Sequence, residues 1–281
     1  MMVREGMHWG EARLLEQEID NARFDADLLL AEVLSVSRDR LYLNWDLNLS
    51  EEEEADYRGV ILRRAEHEPL QYILKSQEFM GLSFGIDERV LIPRADSELL
   101  VEKWLELVRA VERRVKDPMI RVVDLCTGSG ALAISMAHYY PQADVVGTDL
   151  SQEALAVARE NAERLGVSVQ WRQGDFVKPI QGERWDYIVT NPPYVSAEEY
   201  SQCAPEIFRE PSMAFLGGQD GLDFYRRLAE ETRSLLNPQG KLLMEIGCNQ
   251  AEAVGKIFQI KGFETLVFPD LAGHDRVIIA R

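Results

Sequence analysis

Histidine is scarce in this chain, cysteine scarcer, and basic residues fall well short of acidic ones. The 281 residues include four histidines and three cysteines. Cys126, Cys203 and Cys248 lie far apart and form no C-x-x-C pair. That argues against a disulfide framework or a zinc site and points to reduced thiols in a reducing compartment; no metal is expected. No apolar run approaches the roughly 18 residues that cross a bilayer. Residues 1–18 are polar and charged, without the apolar core of a secretory signal. A cytoplasmic protein with no membrane partner is therefore expected. Lys and Arg total 31 against 48 Asp and Glu, a net charge of −17. Binding to duplex nucleic acid draws its affinity from neutralised phosphates, and the basic clusters Arg63-Arg64 and Arg113-Arg114 are short and interleaved with acids. The balance favours a basic protein partner, and direct DNA binding is not expected; RNA near one local patch stays open.

What is present divides into a helical beginning and a longer stretch of alternating strands and helices. Residues 22–34 place apolar groups three and four apart, as an amphipathic helix does. Ser50 ahead of four glutamates reads as an N-cap with acids in the first turn. His67, between Glu66 and Glu68, reads as a solvated helix-end residue. Residues 77–91 change character: Phe79, Leu82, Phe84, Ile86 and Val90, with Gly81 and Gly85 between them, suggest a β-hairpin. A helix is expected over residues 99–114. Strands are expected over residues 120–125, 143–149, 168–172, 185–189, 240–247, 265–268 and 277–280, with helices over 131–139 and 152–165 between the first of them. The last connection, residues 269–276, is too short for a crossover helix, so the final two strands should be antiparallel.

The chemistry gathers at strand ends. The first strand of this series runs into Cys126-Thr127-Gly128-Ser129-Gly130, where glycines let a ligand approach the backbone and the following helix presents free N–H groups. Asp149 closes the next strand, about twenty residues on, where a carboxylate can accept both hydroxyls of a ribose. Together these point to an adenosine-containing cofactor. Asp175 and Phe176 stand at the third strand end, an acid and a ring where an adenine would lie; Phe176 reads equally as core. The strand over residues 185–189 leads into Asn191-Pro192-Pro193-Tyr194. Two prolines stop the ladder and stiffen a loop that carries an amide and an aromatic ring, suited to a flat polar substrate. On its own the loop also reads as a proline turn with a packed tyrosine. Arg94 and Glu98 flank a helix start, and by spacing alone form a cap with a surface ion pair. A nicotinamide enzyme remains open, since Gly128-x-Gly130 can cradle a pyrophosphate; the C-terminal hairpin and the proline loop count against it.

Asp124-Leu-Cys-Thr-Gly-Ser-Gly, Asp149 and the Asn-Pro-Pro-Tyr loop together resemble methyltransferases that use S-adenosyl-L-methionine to methylate a planar nitrogen. Residues 69–74, 79–84 and 91–94, Ser97-Glu98, Gly217-Gly218 with Asp220-Gly221-Leu222, residues 270–273 and Asp275-Arg276 narrow the likeness to the PrmC/HemK family of peptide chain release factor glutamine methyltransferases. Cys126 stands where that family usually has a glycine, and Ala95-Asp96-Ser97-Glu98 replaces its usual Pro-Glu-Thr-Glu. The resemblance implies a class I methyltransferase fold, an α/β Rossmann-like architecture whose seven-stranded, mostly parallel sheet ends in an antiparallel C-terminal hairpin. It implies a small N-terminal helical bundle for substrate recognition over residues 1–75, a hairpin linker over 76–93 and a catalytic domain over 94–281. S-adenosylmethionine would be held by Cys126, Thr127, Gly128, Ser129, Gly130, Asp149, Asp175, Phe176 and Asn191. Asn191, Pro192 and Tyr194 would carry catalysis, with Pro193, Arg94 and Glu98 added for substrate. The substrate implied is the glutamine of the Gly-Gly-Gln loop in class I release factors, S-adenosylhomocysteine is the product, and a monomer is expected. Gly217-Gly218-Gln219 repeats that tripeptide within the family's own glycine turn; self-methylation of Gln219 is a remoter reading.

Overall fold

The structure, a computed structural model, describes residues 1–116 and 118–281. The chain divides into two units, Met1–Ser76 with Ala204–Arg209, and Gln77–Cys203 with Glu210–Arg281. The first contains helices α1 (Val3–Leu15), α2 (Ala22–Val33), α3 (Arg38–Leu43), α4 (Glu51–Ala65) and α5 (Leu70–Leu74). Ser50 caps α4 as its sequence suggests: its hydroxyl accepts the Glu53 N–H, and the Glu53 carboxylate accepts the Ser50 N–H. Met7, Leu14, Leu29, Leu30, Tyr57 and Ile61 form the core of this unit. Helix α1 meets α4 over a glycine, because a Cβ on Gly10 would fall 2.0 Å from the Tyr57 hydroxyl oxygen. The buried Arg64 is neutralised on two sides, by Asp25 at 2.7 Å and Glu206 at 3.0 Å. His67 is half-buried, its Nδ1 3.5 Å from the Glu206 carboxylate.

The second unit opens with a two-stranded hairpin, β1 (Ser76–Phe79) and β2 (Leu82–Gly85). Pairing stops at residue 85, short of the expected residue 91; Ile86, Val90 and Ile92 remain buried without joining a strand. The hairpin is fastened to its own unit. Arg164 donates to the Ser83 carbonyl at 2.5 Å, Asn161 Oδ1 accepts the Gly85 N–H at 2.7 Å, and the Tyr139 hydroxyl donates to the Met80 carbonyl at 2.6 Å. The chain continues through α6 (Glu98–Glu112), β3 (Arg121–Leu125), α7 (Ala131–Tyr139), β4 (Asp144–Asp149), α8 (Gln152–Leu165), β5 (Gln170–Gln173) and β6 (Trp185–Thr190). After these come α9 (Ala197–Ser201), α10 (Asp223–Glu231), β7 (Leu236–Glu245), α11 (Ala251–Ile260), β8 (Thr265–Pro269) and β9 (Asp275–Ala280).

Seven strands form one sheet in the order β5-β4-β3-β6-β7-β9-β8. The first five in that order pair in parallel, and β9 runs antiparallel to both β7 and β8. This is the class I methyltransferase sheet expected from the sequence. Neighbouring residues of β6 serve opposite faces. Ile188 joins the core under α10 and α11 with Val123, Leu242, Tyr225 and Phe258, while Tyr187 meets the buried Trp104 of α6 edge-on. Strand β7 begins at Leu236, four residues earlier than its periodicity suggests. The register between Trp185 and Tyr187 jumps from Leu236 to Lys241, so Asn237-Pro238-Gln239-Gly240, which reads as a turn, is absorbed in an irregularity. Chain order reverses at the β3/β6 pair, and Leu125 lies level with both Thr148 and Thr190. The carboxyl ends of β3, β4 and β6 thus open side by side at a topological switch point, where such sheets bind ligands.

Candidate active site

A cavity occupies that position, lined from strand ends and from two further stretches of the same unit, residues 89–97 and 211–214. At the end of β3, Cys126 takes the left-handed conformation (φ 59°) that the chain elsewhere gives mostly to glycine. A glycine there would adopt it without steric cost, so the cysteine reaches the turn geometry at the expense of backbone strain. Burial raises its thiol pKa, which disfavours the thiolate. Thr127 hydrogen-bonds through its hydroxyl to Asp124 Oδ2 (2.5 Å) and through its N–H to the Thr148 carbonyl (2.9 Å), tying the turn to β3 and β4. Gly128 has open space where a Cβ would stand. Gly130, at φ 83°, has none: a Cβ would meet Ile134, Trp171 and Ala158 at 2.9–3.1 Å. Gly130 therefore lets α7 pack closely, and it does not line the cavity, whereas Cys126, Thr127, Gly128 and Ser129 do.

Asp149 accepts the Gly128 N–H on Oδ2 (2.9 Å) and the Ser151 N–H on Oδ1 (2.8 Å). Each oxygen keeps a lone pair for a ligand in the cavity. Burial raises its pKa and the backbone N–H groups offset that, which keeps the site suited to accepting hydroxyls. Phe176 is buried, again at positive φ (58°), edge-on to Phe224 with the Arg227 guanidinium over its ring. Asp175 lines the cavity, paired with Lys178 (2.8 Å) and Arg227 (3.1 Å), which hold its carboxyl below the usual range.

Asn191 and Pro193 also line the cavity; Pro192 and Tyr194 do not. Asn191 Nδ2–H donates to Ser97 Oγ at 3.0 Å, and among the described residues no donor meets its Oδ1. The Tyr194 hydroxyl donates to the buried Glu245 at 3.1 Å. The loop is braced from behind by three residues. A Cβ on Gly217 would fall 2.7 Å from the Pro193 carbonyl oxygen, one on Gly221 would fall 2.3 Å from that of Tyr194, and Gln250 donates to the Tyr194 carbonyl at 2.9 Å. Gly217 and Gly221 thus serve close approach to this loop, while the exposed Gln219 points no side chain into the described cavity lining.

Arg94 also lines the cavity, ion-paired to Glu210, whose carboxylate accepts the Ile92 N–H at 2.9 Å. Glu98 stands elsewhere. Its Oε1 accepts the Met80 N–H at 2.6 Å, which fastens the β1–β2 turn, and it is absent from the cavity lining. Sequence reading passed over Ser97, Glu245, Glu210 and Asn161. Asn161 donates to the Ser129 and Gly85 carbonyls at 3.0 and 3.1 Å, so it joins the glycine turn to the hairpin. Among the described residues there is no group of three His, Cys, Asp or Glu side chains that could hold a metal ion, and no helix long and apolar enough to cross a membrane.

Asp124, fully buried behind the glycine turn, carries a pH signature. Burial pushes its pKa up to about 7, against the pull of the Thr127 hydroxyl. The native state therefore holds a proton that the unfolded chain releases near pH 4, and this residue's contribution to stability falls as pH rises from about 4 to about 7. Thermal melts of wild type and Asp124→Asn across that range should diverge by on the order of 2–4 kcal/mol, with the variant's curve the flatter. Parallel curves would place the proton elsewhere.

Two family models match the chain: PrmC N-terminal domain over residues 5–74 and Methyltransferase small domain over residues 107–218. The release factor glutamine methyltransferase of Geobacter sulfurreducens is 41% identical over 281 residues, covering 99% of this chain and 96% of that relative. The release factor glutamine methyltransferase of Moorella thermoacetica is 39% identical, covering 100% and 98%. Among solved structures, a methyltransferase from Pyrococcus furiosus superposes with a TM-score of 0.51 at 19% identity, covering 80% of this chain and 97% of that one, a likeness of fold.

Proposed function

Because the chain belongs to the release factor glutamine methyltransferase family, we propose that it transfers a methyl group from S-adenosylmethionine to the side-chain nitrogen of the glutamine in the Gly-Gly-Gln loop of class I release factors. The observation that carries this reading is the Asn191 amide, which lines the cavity, is tied to Ser97 by its nitrogen and has an oxygen that meets no donor among the described residues. The cofactor fits the residues present. The Asp149 carboxylate offers acceptors for two ribose hydroxyls, Gly128 leaves backbone exposed, and Phe176 with Phe224 provides an apolar slot for a purine. When bound, the cofactor supplies an electrophilic methyl group on a sulfonium.

The chain's own residues do the rest. A carboxamide nitrogen is a poor nucleophile because its lone pair is delocalised into the carbonyl. Asn191 Oδ1 accepts one N–H of the glutamine, and the Pro192 carbonyl, which lies outside the cavity lining in this structure, would have to reach the pocket to accept the other. Acceptors on both N–H bonds turn the lone pair towards the methyl group and stabilise the positive charge that develops on nitrogen. The nitrogen–carbon bond forms as the sulfur–methyl bond breaks, and the proton then leaves the cationic nitrogen to solvent, so no side chain is assigned as general base. Arg94, paired with Glu210, lines the same cavity and is the candidate contact for the incoming loop. The helical unit, Met1–Ser76, is assigned to recognition of the factor's body. Stiff prolines give the loop a fixed place for the acceptor, so little ordering is left to binding.

Incubation with labelled S-adenosylmethionine and purified release factors, ribosomal proteins and DNA, side by side, tests this assignment. Label in the release factor alone is expected. Label in DNA or in a ribosomal protein, with the release factor blank, would overturn it.

A further inference from the structure

Glu245 closes β7 and is 1% exposed, a carboxylate buried where an apolar residue would be easier to accommodate. Its oxygens are both engaged. Oε2 accepts the hydroxyl proton of Ser97 at 2.5 Å, and Oε1 accepts that of Tyr194 at 3.1 Å. Ser97 is 4% exposed and ends the short turn before α6, 148 residues away in sequence. Burial raises the pKa of Glu245, while the Ser97 and Tyr194 hydroxyls and then the charge of Arg276 pull it back down; Arg276 is itself held by Asp96 at 3.0 Å and Asp270 at 3.1 Å. The Tyr225 hydroxyl secures the backbone of the same residue, donating to the Glu245 carbonyl at 2.8 Å.

We infer that Glu245 and Ser97 are positioning residues that set which end of the Asn191 amide faces the cavity, with Glu245 also locking the Tyr194 ring. A serine hydroxyl has one proton. Glu245 takes it, so Ser97 offers Asn191 only lone pairs, and the amide must turn its NH2 towards Ser97. The reversed amide would bring two acceptors face to face in a buried setting. Oδ1 is thereby left pointing the other way, as the acceptor the transfer needs. One carboxylate so holds two side chains of the loop: Asn191 through Ser97, and Tyr194, outside the cavity lining, directly.

The catalytic consequence rests on the glutamine-methylating activity proposed above, so the test has one readout apart from that activity. In ¹⁵N-labelled protein, the Asn191 side-chain NH2 pair is identified by its loss in Asn191→Ala. It should shift and exchange faster with solvent in Ser97→Ala and Glu245→Gln, and keep its wild-type behaviour in Ser97→Thr. Transfer to release factor should fall about 10–100-fold in kcat for Ser97→Ala and for Glu245→Gln, with the affinity for S-adenosylmethionine changed less than about twofold. The double variant should be no slower than the slower single, since both act through one relay, and Ser97→Thr should stay within about threefold of wild type. An unmoved NH2 pair in folded Ser97→Ala overturns the relay whatever the substrate. So do losses that multiply in the double variant, or a kcat unchanged in Ser97→Ala while the wild type labels the factor. A wild type that fails to label any release factor, with the NH2 pair shifting as stated, removes the proposed substrate and leaves the relay standing.

Discussion

Asn191→Ala should lower kcat for methyl transfer about 10²–10³-fold while calorimetric binding of S-adenosylmethionine stays within about twofold of wild type. The substitution deletes the side-chain acceptor; although the resemblance also counts Asn191 among the cofactor residues, the other proposed cofactor contacts, the glycine turn, Asp149 and Phe176, belong to other strand ends and stay in place. Asn191→Asp sharpens the expectation. It keeps an acceptor but has no NH2 for Ser97, so two acceptors would confront each other beside the buried Glu245. It should be impaired as well, despite matching the wild-type side chain in shape. Single-turnover methylation of a release factor, with saturating cofactor, separates this loss from binding. Wild-type turnover by Asn191→Ala would contradict the role assigned to it.

Asp149→Ala should produce the opposite split. The carboxylate receives two backbone N–H groups and keeps lone pairs for a ligand. Its removal takes away the acceptors proposed for two ribose hydroxyls and also frees the Gly128 and Ser151 amides from their anchor. A hydrogen bond to a charged acceptor contributes roughly 1.5–3 kcal/mol, so cofactor affinity should drop about 100-fold. Once cofactor is raised to saturation, kcat should recover most of its wild-type value, because Asn191 and its partners lie in the loop after β6, on β7 and in the turn before α6. Isothermal titration with S-adenosylmethionine, followed by turnover at rising cofactor concentration, checks both halves. An unchanged affinity would place the ribose elsewhere.

The sheet was legible because its signals are local. Apolar runs that end in Gly, Asp or Pro mark strands and the turns after them, and a connection too short for a helix forces the last two strands antiparallel. Asp149 and the Asn191 loop were readable for the same reason: each is defined by its place at the end of a strand. What escaped was contact between distant residues. Ala95-Asp96-Ser97-Glu98 reads as one helix start, yet its three polar side chains go three ways. Asp96 pairs with Arg276, Ser97 joins Asn191 to Glu245, and Glu98 fastens the turn at Met80. Nothing in a four-residue window distinguishes them. Glu245 reads as the polar end of a strand, and only the fold reveals that it is enclosed. Tyr194 reads as a ring meant for the substrate; the structure adds a hydroxyl committed to Glu245. The hint that was available lies in Gly217 and Gly221, whose missing side chains signal close approach of some other backbone without saying which.

The proposed activity depends on a cavity at the β3/β6 switch point that presents Asn191 to a glutamine side chain. Tandem mass spectrometry of a release factor incubated with the enzyme and S-adenosylmethionine tests it most directly. One added methyl, on the side-chain nitrogen of the glutamine in the Gly-Gly-Gln peptide and missing when Asn191→Ala replaces the wild type, is the expected result. A methyl group on any other residue of the factor, or on that glutamine with Asn191→Ala as active as wild type, would contradict it.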